Sequence, residues 1–298
     1  MCTLLGVAKT SYYRLLKPPA VNQQEVQVRE TVRETFFDHS RRYGSRRLEV
    51  ELKAKGVELG RHRIRRIMKE EGLWAIQPKR FVPRTTHSSH HLGYSENLLL
   101  EMKLPPQQPN EVIVGDITYL PLQDGSFAYL ATWTDLFSRL VMGWEVEETM
   151  EESLIISAFE KGLRRRGQMR GAIVHSDRGG QYAAGRFRAL LQAAGCRQSM
   201  SRAGETYDNA YAESLFSRYK AELLEGGAFA DVEEARLETF HYIEGYDNRV
   251  RRHSSLGYVS PEEYEQKYYE ERARKAEENL DQKTKKGVKA KSYSCPKF

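Results

Sequence analysis

The sequence predicts an α/β protein in which a mixed sheet flanked by helices follows an all-α N-terminal region. Three observations indicate this fold class. Residues 1–74 carry short helical patterns and no strand pattern. From residue 111 the apolar period becomes that of strands, at 111–120, 126–134 and 139–146. Helical and strand patterns then alternate, which is typical of a layered α/β fold.

The N-terminal region, residues 1–74, predicts a helix-turn-helix-like DNA-binding unit. Its helices are expected at 12–17 with Ser11 as cap, at 23–37, at 45–55 with Ser45 as cap, and at 61–71. The last helix has an apolar stripe of Ile64, Ile67 and Met68. Four candidate DNA contacts lie largely outside that stripe: Arg61, Arg63, Arg65 and Arg66. A basic amphipathic helix without a ligand is the alternative interpretation.

Residues 75–108 predict a linker, because prolines and polar residues interrupt any periodic pattern. The histidine-rich stretch at 85–91 has no cysteine or carboxylate nearby, so we interpret it as solvated. The α/β core is expected at 109–225, with Asp124 and Gly125 forming the first turn. Its second half predicts a helix at 151–166, a strand at 172–175, a helix at 183–194, a strand at 197–200 and a last helix. A helical extension at 226–266 and a charged, partly disordered tail at 267–298 complete the chain.

Charge is distributed unevenly over the 298 residues. Residues 1–104 carry a net charge of +9, residues 105–265 carry −8 and residues 266–298 carry +5. Basic flanks around an acidic middle favour a nucleic-acid enzyme, with solvated surface charge as the alternative. No apolar run reaches the roughly 20 residues of a membrane span. Three scattered cysteines suit a reducing cytoplasm and predict neither a disulfide framework nor a zinc site.

Three carboxylates stand out from their local sequence. Asp116 interrupts an apolar strand, where an ionised carboxylate is unfavourable without a compensating cation. Asp177 follows a short strand and precedes two glycines, and Glu213 lies on a later helix, with 35 residues between the two. Taken singly, each has an ordinary explanation: a hydrogen-bonded core residue, a turn residue and an exposed helix residue. Their order of strand, strand end and helix is that of the metal-binding carboxylates in a ribonuclease-H-like fold, which predicts phosphoryl transfer.

Lys220 lies two helical turns after Glu213, so both side chains project from nearly the same face. A cation about 10 Å along the helix from an acidic metal ligand suits a DNA backbone that crosses the helix. The alternative is an ordinary surface lysine.

Several long motifs resemble the bacterial insertion-sequence transposases of the OrfB type, which carry an integrase catalytic core. Three stretches resemble the integrase core of this family: HSDRGGQY at 175–182, SRAGETYDNA at 201–210, and Glu213 followed by Lys220, Ala221 and Glu222. Further matches are Pro109 and Asn110 before DITY at 116–119, DLFSR at 135–139, NRVRRHSSLGYVSP at 248–261 and RYGSRR at 42–47. Two positions depart from the family pattern, Ile113 in place of Trp and Asp247 in place of Tyr or Asn.

The resemblance implies a DDE transposase that cleaves insertion-sequence ends and transfers them to new DNA. It implies that Asp116, Asp177 and Glu213 are catalytic and bind two Mg²⁺ ions about 3.5–4 Å apart, with Mn²⁺ as a substitute. Double-stranded DNA, both element ends and target, is the expected partner, on which the chain acts as a homo-oligomer in the bacterial cytoplasm and nucleoid. Four further candidate phosphate contacts are Lys220, Arg249, Arg251 and His253.

Three alternatives remain open from the sequence. A nuclease of the same fold would cleave without strand transfer. A domesticated DNA-binding protein would bind without any reaction. An OrfB-type fragment would act only when fused to or assembled with OrfA, the partner that supplies a further helix-turn-helix in the family.

Overall fold

The structure, a computed structural model, describes residues 6, 8–16, 22–78, 93–202 and 210–291. The chain divides into two compact units, Met1–Ile76 and Gln77–Phe298. No helix in the described part of the chain combines the length and apolar character that a membrane crossing demands. The histidine-rich stretch at 85–91 lies outside the described residues. The predicted domain boundaries stay predictions.

The N-terminal unit is helical, as predicted. It contains α1 (Lys9–Leu16), α2 (Gln23–Asp38), α3 (Ser45–Ala54) and α4 (Arg61–Glu70). Apolar residues of α2, α3 and α4 form its core: Val32, Phe36, Leu48, Leu52, Ile64 and Ile67. Two predicted caps are wrong, because Ser11 lies inside α1 and Gly44, not Ser45, is the N-cap of α3.

The second unit is built on a five-stranded mixed sheet, which confirms the predicted fold class. The strands are β1 (Val112–Pro121), β2 (Phe127–Asp135), β3 (Val141–Glu147), β4 (Ile173–Ser176) and β5 (Arg197–Met200), in the order β3-β2-β1-β4-β5. The first three pair antiparallel, whereas β4 runs parallel to β1 and to β5. The predicted turn between β1 and β2 is present, with Asp124 accepting the Ser126 N–H at 2.8 Å and Gly125 at φ 86°.

Helices cover both faces of this sheet. One face packs against α5 (Glu152–Arg166) and α7 (Gly185–Ala193), with the short α6 (Gly180–Ala183) before α7. The other face packs against α8 (Ala210–Leu224) and α9 (Val232–Phe240). A π-helical turn at His241–Asp247 follows α9. Both faces are therefore buried, as the apolar character of the strands requires.

The predicted linker includes a segment that packs on the sheet. Its 3-10 turn, Leu98–Glu101, begins with the Leu98 N–H donating to Ser199 Oγ at 3.0 Å. The Ser95 hydroxyl donates to Gln198 Oε1 at 2.7 Å. These contacts cover β5, which would otherwise be an open edge strand.

The described part of the tail is helical. The last helix, α10, runs from Pro261 to Lys291, although we expected helical order to be lost near residue 283. Ion pairs one turn apart support it, with Lys267 Nζ 2.7 Å from Glu263 and Arg274 Nε 3.9 Å from Glu278.

A buried ionic cluster joins the end of β2 to α5 and α10. The fully buried Asp135 accepts hydrogen bonds from the backbone N–H groups of Asn110 at 2.7 Å and Phe137 at 2.9 Å. Arg166 lies 3.4 Å from Asp135 and 2.6 Å from Glu265. Burial raises the pKa of Asp135 to about 6, although the hydrogen bonds and Arg166 oppose the shift.

We expect Asp135 to lower the stability of the fold as the pH rises from about 4 to about 6. In this window the native carboxyl keeps its proton while the unfolded one has released it, so the free energy of unfolding decreases with pH. Two pKa units correspond to at most about 3 kcal/mol. Urea unfolding at several pH values, beside Asp135→Asn, measures this contribution. A wild type that gains stability relative to the variant across this window would contradict the prediction.

Candidate active site

Asp116 lies in the middle of β1 on the face that packs against α8. Strand alternation puts its side chain on the same side as Val112 and Val114. Its Oδ1 accepts the N–H of Ile117 at 2.9 Å. Burial raises the pKa of Asp116 well above its usual range, and the negative charge of Asp177 raises it further. Negative charge at this point of the sheet is therefore incompletely compensated.

Strand register explains why Asp177 lies beside Asp116. Strands β1 and β4 are parallel and pair Val114 with His175, and each aspartate comes two residues after its paired position. The loop after β4 then holds the carboxylate, because the Gly179 N–H donates to Asp177 Oδ1 at 2.9 Å. A Cβ at residue 179 would lie 3.1 Å from that oxygen, so glycine lets the loop approach closely.

The third carboxylate and the predicted lysine approach from α8. Glu213 is exposed in the first turn of this helix, and Lys220 is partly buried two turns later. Their charges act on Asp116 in opposite senses: Glu213 raises the pKa of Asp116 and Lys220 lowers it. The Lys220 ammonium lies 5.6 Å from the ring centroid of Tyr119, and burial lowers its own pKa. Asp177, Glu213 and Lys220 thus all act on the charge of Asp116.

The donor chemistry of this site fits a hard divalent cation. Carboxylate oxygens are the ligands that Mg²⁺ and Mn²⁺ prefer, and excess negative charge favours a cation. However, within the described ranges no three His, Cys, Asp or Glu residues are arranged to hold a metal ion. Asp116 and Asp177 are held in the sheet and its adjoining loop, whereas Glu213 is exposed on α8.

The structure corrects two of the predicted phosphate contacts. Arg251 is completely buried, with Nε 2.8 Å from Asp247 Oδ1 and its guanidinium also bonded to Glu222 of α8. His253 is 5% exposed, with Nε2 3.9 Å from Asp247. Both side chains are internal and unavailable to DNA in this structure. The acidic residue at 247, where the family pattern has Tyr or Asn, supplies the counter-charge for Arg251.

Most of the other basic candidates are exposed, whereas Arg61 and Lys220 are partly buried. Arg249 is 61% exposed, with Nε 3.4 Å from Glu262. The stripe of α4 is buried as predicted, and its four arginines lie outside the core of the unit. Arg63 pairs with Glu25 at 2.5 Å and Arg66 lies 3.9 Å from Glu70. The backbone N–H of Arg61 donates to Glu49 Oε1 at 3.0 Å.

Comparison with known protein families assigns both units. A model described as "Integrase core domain" matches residues 106–206, and a second of that description matches 194–261. An "HTH-like domain" model matches residues 23–81.

Transposase InsF for insertion sequence IS3A of Escherichia coli (strain K12) is 38% identical over 271 residues, covering 90% of this chain and 93% of that protein. The chain belongs to the IS3 family of insertion-sequence transposases. An "Insertion element IS600 uncharacterized 31 kDa protein" of Shigella sonnei is 36% identical, covering 91% of this transposase and 99% of the relative.

Solved structures resemble the transposase only weakly. The HTLV-2 integrase catalytic core domain in complex with magnesium is 14% identical at a TM-score of 0.38, covering 53% of this chain and 98% of that chain. The catalytic domain of Mos1 mariner transposase is 15% identical at a TM-score of 0.40, covering 46% of this chain and 72% of that chain.

Sequence reasoning missed two features of the transposase site. Tyr182 lies in α6 with a buried hydroxyl, and the negative charges of Asp116 and Asp177 raise its pKa. The one sequence signal for Tyr182 is its place at the end of the HSDRGGQY motif. Glu222 pairs with Arg251 across 29 residues of sequence. No local pattern predicts that contact, because each residue alone reads as a surface charge.

Proposed function

We propose that the transposase cleaves the ends of its insertion sequence and transfers them to target DNA in a reaction that depends on divalent metal. The proximity of Asp116 to Asp177, each two residues past the last parallel pair of β1 and β4, carries this proposal. Two ionisable carboxylates that lie partly buried beside each other are destabilising unless the pair is used to bind a cation. A nucleic-acid phosphate is the substrate that suits such a site within this family.

Asp116, Asp177 and Glu213 would hold two Mg²⁺ ions, with Mn²⁺ as a substitute. When bound, such ions activate an attacking hydroxyl and stabilise the leaving oxygen of an in-line displacement. The protein supplies orientation: the Gly179 N–H restrains Asp177, and the strand backbone restrains Asp116. Glu213 turns inward from α8 and completes the site. No covalent bond between protein and DNA is required.

DNA contacts would come from both units. Lys220 lies on the same helix as Glu213 and would contact a phosphate next to the reacting one. Arg61, Arg63, Arg65 and Arg66 of α4, together with Arg249, are the further candidates. Two element ends must be joined, so the transposase would act as an oligomer on DNA, in the cytoplasm at the nucleoid. Dependence on OrfA stays open as the alternative.

Labelled duplexes that end in the element's terminal repeat test the proposal. Incubation with the full chain and Mg²⁺ should produce free 3′-hydroxyl ends and then longer, joined strands, and chelation of the metal should stop both. Cleavage without joined strands would instead assign a nuclease, and binding without either product a DNA-binding protein. Joined strands that form only after OrfA is added would assign the OrfA-dependent alternative.

Replacing Lys220 by glutamine is expected to weaken DNA binding through the loss of one phosphate contact. The slope of log affinity against log salt should become shallower by about 1. The matched control is Lys161→Gln, since Lys161 also lies over an aromatic ring, 5.2 Å from the centroid of Trp144, and pairs with Glu145 at 2.9 Å. Equal slopes for Lys220→Gln and the wild type, measured without divalent metal, would remove Lys220 from the interface.

A further inference from the structure

The buried phenol of Tyr182 is fixed in position but has no assigned role. The residue is 2% exposed, and its ring packs edge-on against Trp133 and Phe187 at centroid distances of 5.8 Å and 6.1 Å. Its backbone N–H donates to the Gly179 carbonyl at 3.1 Å. The side chain of Gln198 donates to the Tyr182 carbonyl at 2.6 Å. Packing and backbone contacts therefore determine where the ring lies.

The Tyr182 hydroxyl has no hydrogen-bond partner among the residues that the structure describes. The indole N–H of the adjacent Trp133 is already bonded to the carbonyl of Ile155 at 3.1 Å. A buried hydroxyl without a partner costs about 1–3 kcal/mol, whereas phenylalanine would fill the same space without that cost. The hydroxyl is thus a local destabilising element, which indicates a hydrogen bond made during function.

The acidic pair Asp116 and Asp177 lies close enough to the phenol for its charges to act on it. Burial raises the pKa of Tyr182, and the charges of Asp116 and Asp177 raise it further, so the phenol keeps its proton and can donate it in a hydrogen bond. A Cβ on Gly179 would lie 3.1 Å from Asp177 Oδ1 and 3.4 Å from Tyr182 Cδ2. Carboxylate and ring edge therefore border the same small space.

We propose that Tyr182 is a positioning residue of the active site, whose hydroxyl donates to a carboxylate oxygen of Asp116 or Asp177 while these residues hold the cation. The inference rests on the proposed function, because it takes these carboxylates to be metal ligands. When the hydroxyl donates to one oxygen of the carboxylate, the other oxygen is left to face the cation. Such outer partners typically change metal affinity by about 10- to 100-fold.

Thermal unfolding of the full chain during a Mn²⁺ titration tests this role, since a ligand that binds only the native state raises Tm increasingly as its concentration exceeds its Kd. Tyr182→Phe should unfold at the wild-type temperature or higher without metal, yet need about tenfold more Mn²⁺ for the same increase in Tm. The matched control is Tyr219→Phe, because the Tyr219 hydroxyl is bonded to Thr239 at 2.5 Å. That variant should lose stability and keep the wild-type Mn²⁺ response.

The outcomes separate this inference from the proposed function. A wild-type Mn²⁺ response in Tyr182→Phe, beside no response in Asp177→Ala, would overturn the role of Tyr182 and leave the metal site standing. A full response in Asp177→Ala would remove the metal site and the role of Tyr182 together. Strand transfer by Tyr182→Phe that recovers at saturating Mn²⁺ would support positioning.

Discussion

Exchange of any one of Asp116, Asp177 and Glu213 for its amide is expected to lower strand transfer by at least about a thousandfold. Each amide keeps the size of the side chain and removes the negative charge that holds the cation. Metal-assisted stabilisation of the transition state is worth several kcal/mol, and each 1.36 kcal/mol is a factor of ten in rate. Gel assays of end cleavage and joining measure the loss in all three variants.

The same substitutions should affect stability differently, which separates loss of the site from loss of the fold. Asp116→Asn should raise the free energy of unfolding without metal, because burial and Asp177 disfavour its charged form. Glu213→Gln should leave stability unchanged, because that side chain is exposed. The matched control is Asp124→Asn in the turn after β1, which should keep full activity. Activity near wild type in Asp116→Asn would contradict the assignment.

Removal of Arg251 is expected to have the largest effect on folding. Its guanidinium pairs with Glu222 of α8 and with Asp247 after α9, and also contacts the Tyr242 hydroxyl at 3.1 Å. Arg251→Ala would leave two buried carboxylates without their cation, which costs about 3–5 kcal/mol. Urea unfolding followed by tryptophan fluorescence measures this loss.

A neighbouring arginine provides the control for that measurement. Arg249 is exposed, so Arg249→Ala should change the free energy of unfolding by no more than about 0.5 kcal/mol. If Arg251→Ala were equally mild and instead weakened DNA binding, the internal role of Arg251 would be wrong and its original interpretation as a phosphate contact would return.

Local periodicity was enough to predict the sheet. The three antiparallel strands and the turn at Asp124 follow from apolar patterns bounded by turn residues, since such patterns depend only on near neighbours. The stripe of α4 was predictable for the same reason, because Ile64, Ile67 and Met68 recur at helical spacing.

Contacts between distant residues were not predictable from these patterns. The motif around Arg251 and His253 looks like a basic loop, and only the fold brings the distant Glu222 to Arg251, which also pairs with Asp247 four residues before it. The register that puts Asp177 beside Asp116 depends on a parallel pairing of strands about 60 residues apart. The missing partner of the Tyr182 hydroxyl is likewise visible only in three dimensions.

A change of metal preference tests the central claim most directly. Strand transfer by Asp177→Cys should be lost in Mg²⁺ and return in Mn²⁺, because a thiolate is a poor ligand for the harder ion and a better one for the softer. Asp177→Ala, which offers no ligand atom, should stay inactive in both metals. Strand transfer by Asp177→Ala at the wild-type rate in either metal would contradict the assignment of Asp177 as a metal ligand.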